Sequence, residues 1–332
     1  MNPVEFLYYL GYLLKKRRSF LMQRRLPHKV ISIGNITVGG AGKTPATIAV
    51  AEEARKKGYR PVILTRGYRG SLKGPCLVND GTRILSVAEA GDEPIVMARR
   101  LKDVPVVKSG DRYEGGVFAI SHIDKSGPPP LFILDDGFQH WRLARDVDVV
   151  LVDGLNPFGN RRLLPAGPLR GPVSELKNAD MLIVTKTQNH ALANELGALN
   201  RRAHVYYASH EVTGLRAQEG SAMDPGLIKD RRVLAFCGIA SPDSLRNTLT
   251  TLGCYFVGFR PYRDHYRYAQ KDIAGIEAAA AKLGAEFIVT TEKDMVKLIE
   301  LPRLPSNLLS VEIGFRVEPG FYEELFRKLE VV

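Results

Sequence analysis

The sequence predicts an α/β protein: a P-loop-type, doubly wound, mostly parallel sheet with a second, smaller α/β domain on a two-stranded linker. Three observations predict it. Near-continuous apolar runs alternate with segments of helical periodicity from residue 29 to about residue 200, the rhythm of strands covered on both faces by crossover helices. The first of those runs passes into a glycine-rich loop and then Lys43-Thr44. Two looser alternating stretches, 204–215 and 308–317, bracket a further series of strands and helices.

Size and composition agree with two domains. The chain has 332 residues, 45% hydrophobic and 25% charged, enough for a sizeable core and too long for one ordinary domain. Cys76, Cys237 and Cys254 share no metal or redox spacing, as expected of reduced cytosolic thiols. The net charge is +11, and residues 1–30 carry seven Lys/Arg against Glu5 alone. So local an excess points to a local partner and not to a chain-wide nucleic-acid surface.

In chain order, residues 1–28 form the first unit. Phe6-Leu7-Tyr8-Tyr9-Leu10-Gly11-Tyr12-Leu13-Leu14 is followed at once by Lys15-Lys16-Arg17-Arg18. This is far short of the ~20 apolar residues that span a bilayer. As a helix it suits the membrane interface, with basic residues on anionic lipid; packing on the core or on a partner is the alternative. Residues 29–203 then read as a nucleotide-binding domain. Its strands are expected at 29–34, 61–65, 104–108, 131–134, 147–152 and 181–185. Its helices are expected at 43–57 (stopped by Gly58), 87–101, 112–123 and within 190–202, with a short inserted hairpin around Asn79-Asp80-Gly81. Segments 204–217 and 306–317 read as linker strands paired with each other. Between them, 218–305 makes the smaller domain, with strands at 233–237, 255–259 and 286–290 and helices at 242–252 and 270–283. An amphipathic helix at 319–329, within 318–332, is expected to return to the first domain.

The motifs point to phosphate chemistry. In Gly39-Gly40-Ala41-Gly42-Lys43-Thr44, glycines let backbone N–H groups crowd phosphate oxygens at a helix N-terminus. Lys43 would reach the β/γ-phosphates and Thr44 would ligate Mg²⁺. The full P-loop pattern wants glycine where Thr37 stands, and Val38 occupies the place of the signature lysine of partitioning-type ATPases. Asp135-Asp136-Gly137 ends a buried strand, where an acidic residue holds Mg²⁺ in P-loop proteins; a turn residue before glycine is the alternative for Asp136. Asp92 and Glu93 begin or re-initiate a helix, so that capping explains one of them and a general base is the alternative. His265, in Asp264-His265-Tyr266, is either an ordinary turn histidine or a partner for a carboxylate of the first domain. Arg66, Arg112 and Arg170 lie in loops that suit phosphate binding. Thr291-Glu292-Lys293-Asp294 fits a helix start, with Thr291 capping Asp294.

Together the ordered blocks resemble one family, the tetraacyldisaccharide 4′-kinases that phosphorylate the lipid A precursor in Gram-negative bacteria. They run from 32–45 through Thr65-Arg66-Gly67-Tyr68, 90–94, Asp111-Arg112-Tyr113, 134–140 and 163–170 to Asp264-His265-Tyr266 and 291–294. The resemblance implies ATP- and Mg²⁺-dependent transfer of the γ-phosphate to the 4′-hydroxyl of a tetraacyl glucosamine disaccharide 1-phosphate. The work would be done on the cytoplasmic face of the inner membrane, with the N-terminal helix on the anionic surface and no obligate protein partner. It assigns Lys43 and Thr44 to phosphate and metal, Asp135 or Asp136 to the metal, and Asp92 with His265 to the hydroxyl proton. Glu93 and Gln139 would line the site beside Thr37 and the P-loop glycines. Gly171 departs from the pattern, because an acidic residue often follows the arginine there. Two other readings compete: a membrane-recruited ATPase switch, against which Val38 counts, and a kinase of a soluble metabolite, for which residues 6–22 have no use.

Overall fold

A computed structural model describes residues 2–123 and 127–331. The N-terminal segment is helix α1 (Pro3–Leu21), started by a capping box in which Asn2 and Glu5 exchange side-chain-to-backbone hydrogen bonds. The apolar runs become β1 (Val30–Gly34), β2 (Arg60–Thr65), β3 (Cys76–Leu77), β4 (Val106–Lys108), β5 (Pro130–Asp135), β6 (Val147–Asp153) and β7 (Met181–Thr185). Between them lie α2 (Lys43–Lys56), α3 (Val87–Ala90), α4 (Asp92–Arg100) and α5 (Arg112–His122), with α6 (His190–Leu199) after β7. The chain continues through β8 (His204–Ala217), β9 (Ala222–Met223), β10 (Arg232–Cys237), α7 (Pro242–Thr251), β11 (Tyr255–Pro261), α8 (Gln270–Leu283), β12 (Phe287–Thr291), α9 (Glu292–Leu298), β13 (Leu308–Val317) and α10 (Phe321–Val331).

All the described strands belong to one sheet of 13, ordered β11-β10-β12-β13-β8-β7-β6-β1-β5-β2-β4-β3, with β9 paired to β8. Pairing is parallel except for β3 on β4, β9 on β8, and β13 on β8. Alternate residues of each strand face opposite sides. Ile31 and Ile33 of β1 therefore pack under α2 (Ala46, Val50, Ala51), α4 (Ile95, Met97) and α10 (Phe321, Leu325, Phe326). On the other face, Val30, Leu64, Phe132 and Leu134 meet Ala119 of α5, and Val150, Val152, Leu182 and Val184 meet Leu192 and Leu196 of α6.

Two expectations need correction. The helix expected over 87–101 is two helices, because Gly91, in the left-handed range at φ 93, stops α3 and caps α4. The break gives Asp92 and Glu93 a helix N-terminus of their own. The inserted hairpin forms only a bridge between Asn79 and Ile84, while the preceding β3 extends the sheet edge.

Helix α1 is amphipathic in the unusual sense. Its body-facing residues include Glu5, Tyr12 and Ser19, all buried, whereas Val4, Phe6, Leu7, Leu10, Leu13, Leu14, Phe20 and Leu21 are exposed. Polar pins seat it: Glu5 accepts from the Leu163 backbone N–H at 2.9 Å and from Arg162, and Lys16 pairs with Glu175. The Tyr8 hydroxyl donates to the Arg170 carbonyl at 2.9 Å. No described helix is long and apolar enough to cross a membrane.

Candidate active site

The β1–α2 connection is the anchor. Gly39 and Gly42 take positive φ values of 121° and 87°, which lets the loop fold back upon the N-terminus of α2. The Thr185 hydroxyl donates to the Ala41 carbonyl at 3.3 Å and pins the loop to β7. The 168–170 segment holds its entry: Val38 N–H donates to Pro168 O and Arg170 N–H to Ile36 O, both at 2.8 Å, and Thr37 bridges Leu169. The Gln139 amide donates to the Asn35 carbonyl at 2.7 Å, and the Asn35 side chain receives Lys43 Nζ at 3.2 Å.

Parallel β5 lies beside β1 and delivers the acidic pair. Asp135 is buried and accepts from the hydroxyls of Thr65 and Thr47 at 3.1 and 3.3 Å. Asp136, in left-handed backbone at φ 53, faces Arg170, which donates to both of its oxygens at 2.9 and 2.7 Å. Lys43 stands 3.7 Å from Asp136. The two carboxylates part company electrostatically. Burial, with repulsion from Glu93 and Asp136, pushes Asp135 upward against the pull of Lys43 and Thr65. Burial also pushes Asp136, but Lys43 and Arg170 outweigh it and hold it below the usual carboxylate range. A divalent cation would relieve the cost of burying the Asp135 charge beside Glu93 and Asp136. Asp135, Asp136, Glu93 and the Thr44 hydroxyl are hard oxygen donors, suited to Mg²⁺. Among the described residues, no group of three or more His, Cys, Asp and Glu side chains forms a closed cage.

The second cluster straddles the sheet's two halves. Asp92, only 4% exposed, accepts the Glu93 backbone N–H at 3.0 Å with one oxygen. Its other oxygen is 2.8 Å from His265 Nδ1. Burial raises the Asp92 carboxyl, yet the bond from His265 and the charge of Lys293 bring it below its ordinary value. His265 is held in left-handed backbone (φ 57) by its N–H on Gly238 O at 3.0 Å. Gly238 N–H in turn donates to Asp294, which is fully buried and also receives Thr291 Oγ1 and Lys297 Nζ. Thr291 does cap α9, through the Asp294 N–H at 3.1 Å.

One cleft of about 1690 Å³ joins both clusters. It is lined by Gly39–Thr44, Glu93, Asp135, Asp136, Gln139, Arg66, Arg112, Arg170 and His265, and also by Tyr8, Tyr12 and Lys15 of α1. Thr37 and Asp92 lie just behind its wall, in the contacts described above. Arg112 is buried at the start of α5, and burial lowers its guanidinium to about 10. It is flanked by His140, whose Nε2 accepts the Arg112 backbone N–H at 3.3 Å. The structure also brings in Lys293 beside His265 and Tyr68 with its ring 5.6 Å from the imidazole, which lay in the sequence motifs without a role in the site, and His210 against Gly42, which no motif contained. Gly171, the departure noted above, is filled by Tyr12: a Cβ there would lie 2.8 Å from the Tyr12 hydroxyl.

A P-loop, an acidic strand end and a histidine–aspartate pair facing one cleft suit phosphoryl transfer to a hydroxyl. Sequence comparison names the acceptor class. The family model for tetraacyldisaccharide-1-P 4′-kinase matches residues 1–330. The chain belongs to the tetraacyldisaccharide 4′-kinase family. It is 40% identical over 321 residues to the tetraacyldisaccharide 4′-kinase of Syntrophus aciditrophicus, covering 92% of this chain and 85% of that one. With the Geobacter metallireducens kinase it shares 40% identity over 278 residues, covering 83% and 80% of the two chains. Its fold is similar to that of LpxK from Aquifex aeolicus, crystallised in complex with ATP, with TM-score 0.76 and 31% identity over 99% of this chain and 96% of that one. The α/β fold expected from the sequence is therefore the kinase family's fold.

Proposed function

We propose that this kinase transfers the γ-phosphate of ATP to the 4′-hydroxyl of a tetraacyl glucosamine disaccharide 1-phosphate, giving the 4′-phosphorylated lipid A precursor, lipid IVA. The observation that carries this reading is the Asp92–His265 pair, joined at 2.8 Å across the sheet's two halves, with His265 lining the same cleft as the P-loop. Lys43 and the α2 N-terminus neutralise the phosphate chain, with Gly39, Gly40, Ala41 and Gly42 supplying backbone donors. Thr44 with Asp135, Asp136 or Glu93 would hold Mg²⁺, which would supply charge neutralisation at the phosphate oxygens. Asp92 fixes the His265 ring so that Nε2 takes the hydroxyl proton. Arg66, Arg112 and Arg170 bind the acceptor's phosphate or the transferred group. Residues 29–203 serve as the nucleotide domain and 218–305 as the smaller domain that presents His265, with 204–217 and 306–317 as the link. The exposed apolar face of α1 and its basic flank lie on the cytoplasmic surface of the inner membrane, where the acylated acceptor sits.

The test is direct: purified full-length protein with [γ-³²P]ATP, Mg²⁺ and the lipid disaccharide 1-phosphate should yield labelled lipid. Folded protein that hydrolyses ATP without labelling the lipid overturns the reading and favours the ATPase switch. Labelling of a soluble sugar alone favours the soluble-metabolite kinase.

A further inference from the structure

The side of His265 away from Asp92 is occupied. Lys293 Nζ, from α9, stands 3.4 Å from His265 Nε2. The Thr291–Asp294 cap that starts α9 needs no lysine, so the cap leaves this side chain unexplained. Lys293 is anchored by Glu93 at 3.4 Å and Asp264 at 3.9 Å. The Asp264 oxygen nearest to it is buried and makes no hydrogen bond. The groups facing the imidazole are thus Asp92 from α4, Asp264 from its own loop, Lys293 from α9 and the Tyr68 ring; Lys297 acts on Asp92 from behind.

We propose that Lys293 is a positioning residue that fixes the tautomer of His265. A carboxylate only accepts hydrogen bonds and an ammonium only donates them. Asp264 Oδ2 also faces Nε2, at 3.8 Å, but Lys293 stands nearer and is itself paired with Asp264. Between Asp92 and Lys293, one state of the ring satisfies both neighbours: Nδ1 carries the proton and donates to Asp92, while Nε2 presents its lone pair to Lys293. The opposite tautomer would set an N–H against the ammonium and a lone pair against the carboxylate. A doubly protonated ring would also face N–H to ammonium. Asp92 alone disfavours the first error; Lys293 disfavours both. At 3.4 Å the contact is beyond the usual hydrogen-bond range, so an incoming hydroxyl can displace the ammonium toward Glu93 and Asp264. In the transfer step the acceptor O–H bond breaks, with its proton passing to Nε2. The oxygen lone pair forms the new O–P bond, and the bond to the ADP oxygen breaks. The proton then leaves Nε2 for solvent.

This inference rests on the kinase reading, and its test separates the two. Wild-type protein labelled with ¹⁵N-histidine should show His265 as the Nδ1–H tautomer, its signals assigned by their loss in His265→Asn. An Nε2–H tautomer overturns the inference without any lysine variant and without touching the kinase assay. In Lys293→Met, with Asp92 alone left to hold off the opposite tautomer, the Nε2–H form should become detectable, and kcat should fall about tenfold or more while KM for ATP stays within about threefold. Lys293→Arg, again a pure donor, should recover most of kcat. Folded Lys293→Met with wild-type kcat also overturns it. Wild-type protein that labels no lipid refutes the kinase reading instead.

Discussion

At Gly171 the Tyr12 ring fills the space a side chain would need, so packing excludes an acidic side chain at this place. Gly171→Glu should lower Tm by several degrees and release α1 to proteolysis; Tyr12→Ala in the same chain should restore part of the loss, because the two positions share one volume. His265→Ala should reduce kcat about 10²- to 10⁴-fold with ATP binding nearly unchanged, as expected of a general base, and calorimetry of ATP binding beside turnover checks it. His140 supplies a pH signature. Burial and Arg112 lower it to about 3, against an ordinary 6.5. The unfolded chain therefore takes up this proton near pH 6.5 and the folded chain only near 3. The contribution is complete above pH 6.5 and is lost progressively as pH falls toward 3. Thermal melts of His140→Asn should show a shallower fall of Tm between pH 6.5 and 4 than wild type. The carboxylates were legible in the sequence because a buried strand has few ways to end in Asp-Asp-Gly. Lys293 was not: local cap chemistry already explained its motif, and its partner Glu93 lies 200 positions away.

Among the elements, α1 breaks the usual rule of burial. Its polar side is anchored by Glu5, Lys16 and Tyr8, while its leucines face outward. Replacing Leu7, Leu10 and Leu14 by Ser should weaken binding to vesicles containing anionic lipid, measured by sedimentation, and leave Tm within a degree or two. Equal vesicle binding by the triple variant would argue against an interfacial role for this face. Helical periodicity cannot show such inversion, since an apolar stripe reads alike whether it meets core or lipid. Periodicity also missed the break at Gly91. Residues 87–101 remain apolar-periodic across it; the helix-start signal of Asp92 and Glu93 points to a restart, and the backbone at φ 93 separates α3 from α4. That break matters to the site, because it places Asp92 and Glu93 in the first turn of a helix that points into the cleft.

Across the whole molecule, the two halves of the sheet are tied by ions as well as by strands. Arg100 of α4 pairs with Glu292 of α9 at 3.0 Å and with Glu312 of β13 at 3.6 Å, and Glu312 also receives Arg216 of β8. Arg100→Met would leave the poorly exposed Glu292 without its cation while Glu312 keeps Arg216, a loss of roughly 3 kcal/mol by analogy with broken buried pairs, measurable by urea denaturation. The parallel strands and their order of helices followed from the sequence alone, because buried strands carry their own pattern. The continuity of the sheet did not, since nothing in 204–217 or 308–317 states how far their ladder runs. Their pairing runs from Ala208↔Val317 to Ala217↔Leu309. In chain topology, β8 and β13 are the arms of a hairpin, and everything between Ala217 and Leu309 stands where its turn would be. Lengthening a loop costs entropy only logarithmically, so the segment bearing His265 and Lys293 occupies that turn without disturbing the register of the nucleotide-facing strands. Grafting a short Asn-Gly turn between the arms should therefore yield a truncated kinase that still binds ATP and has lost its acceptor chemistry.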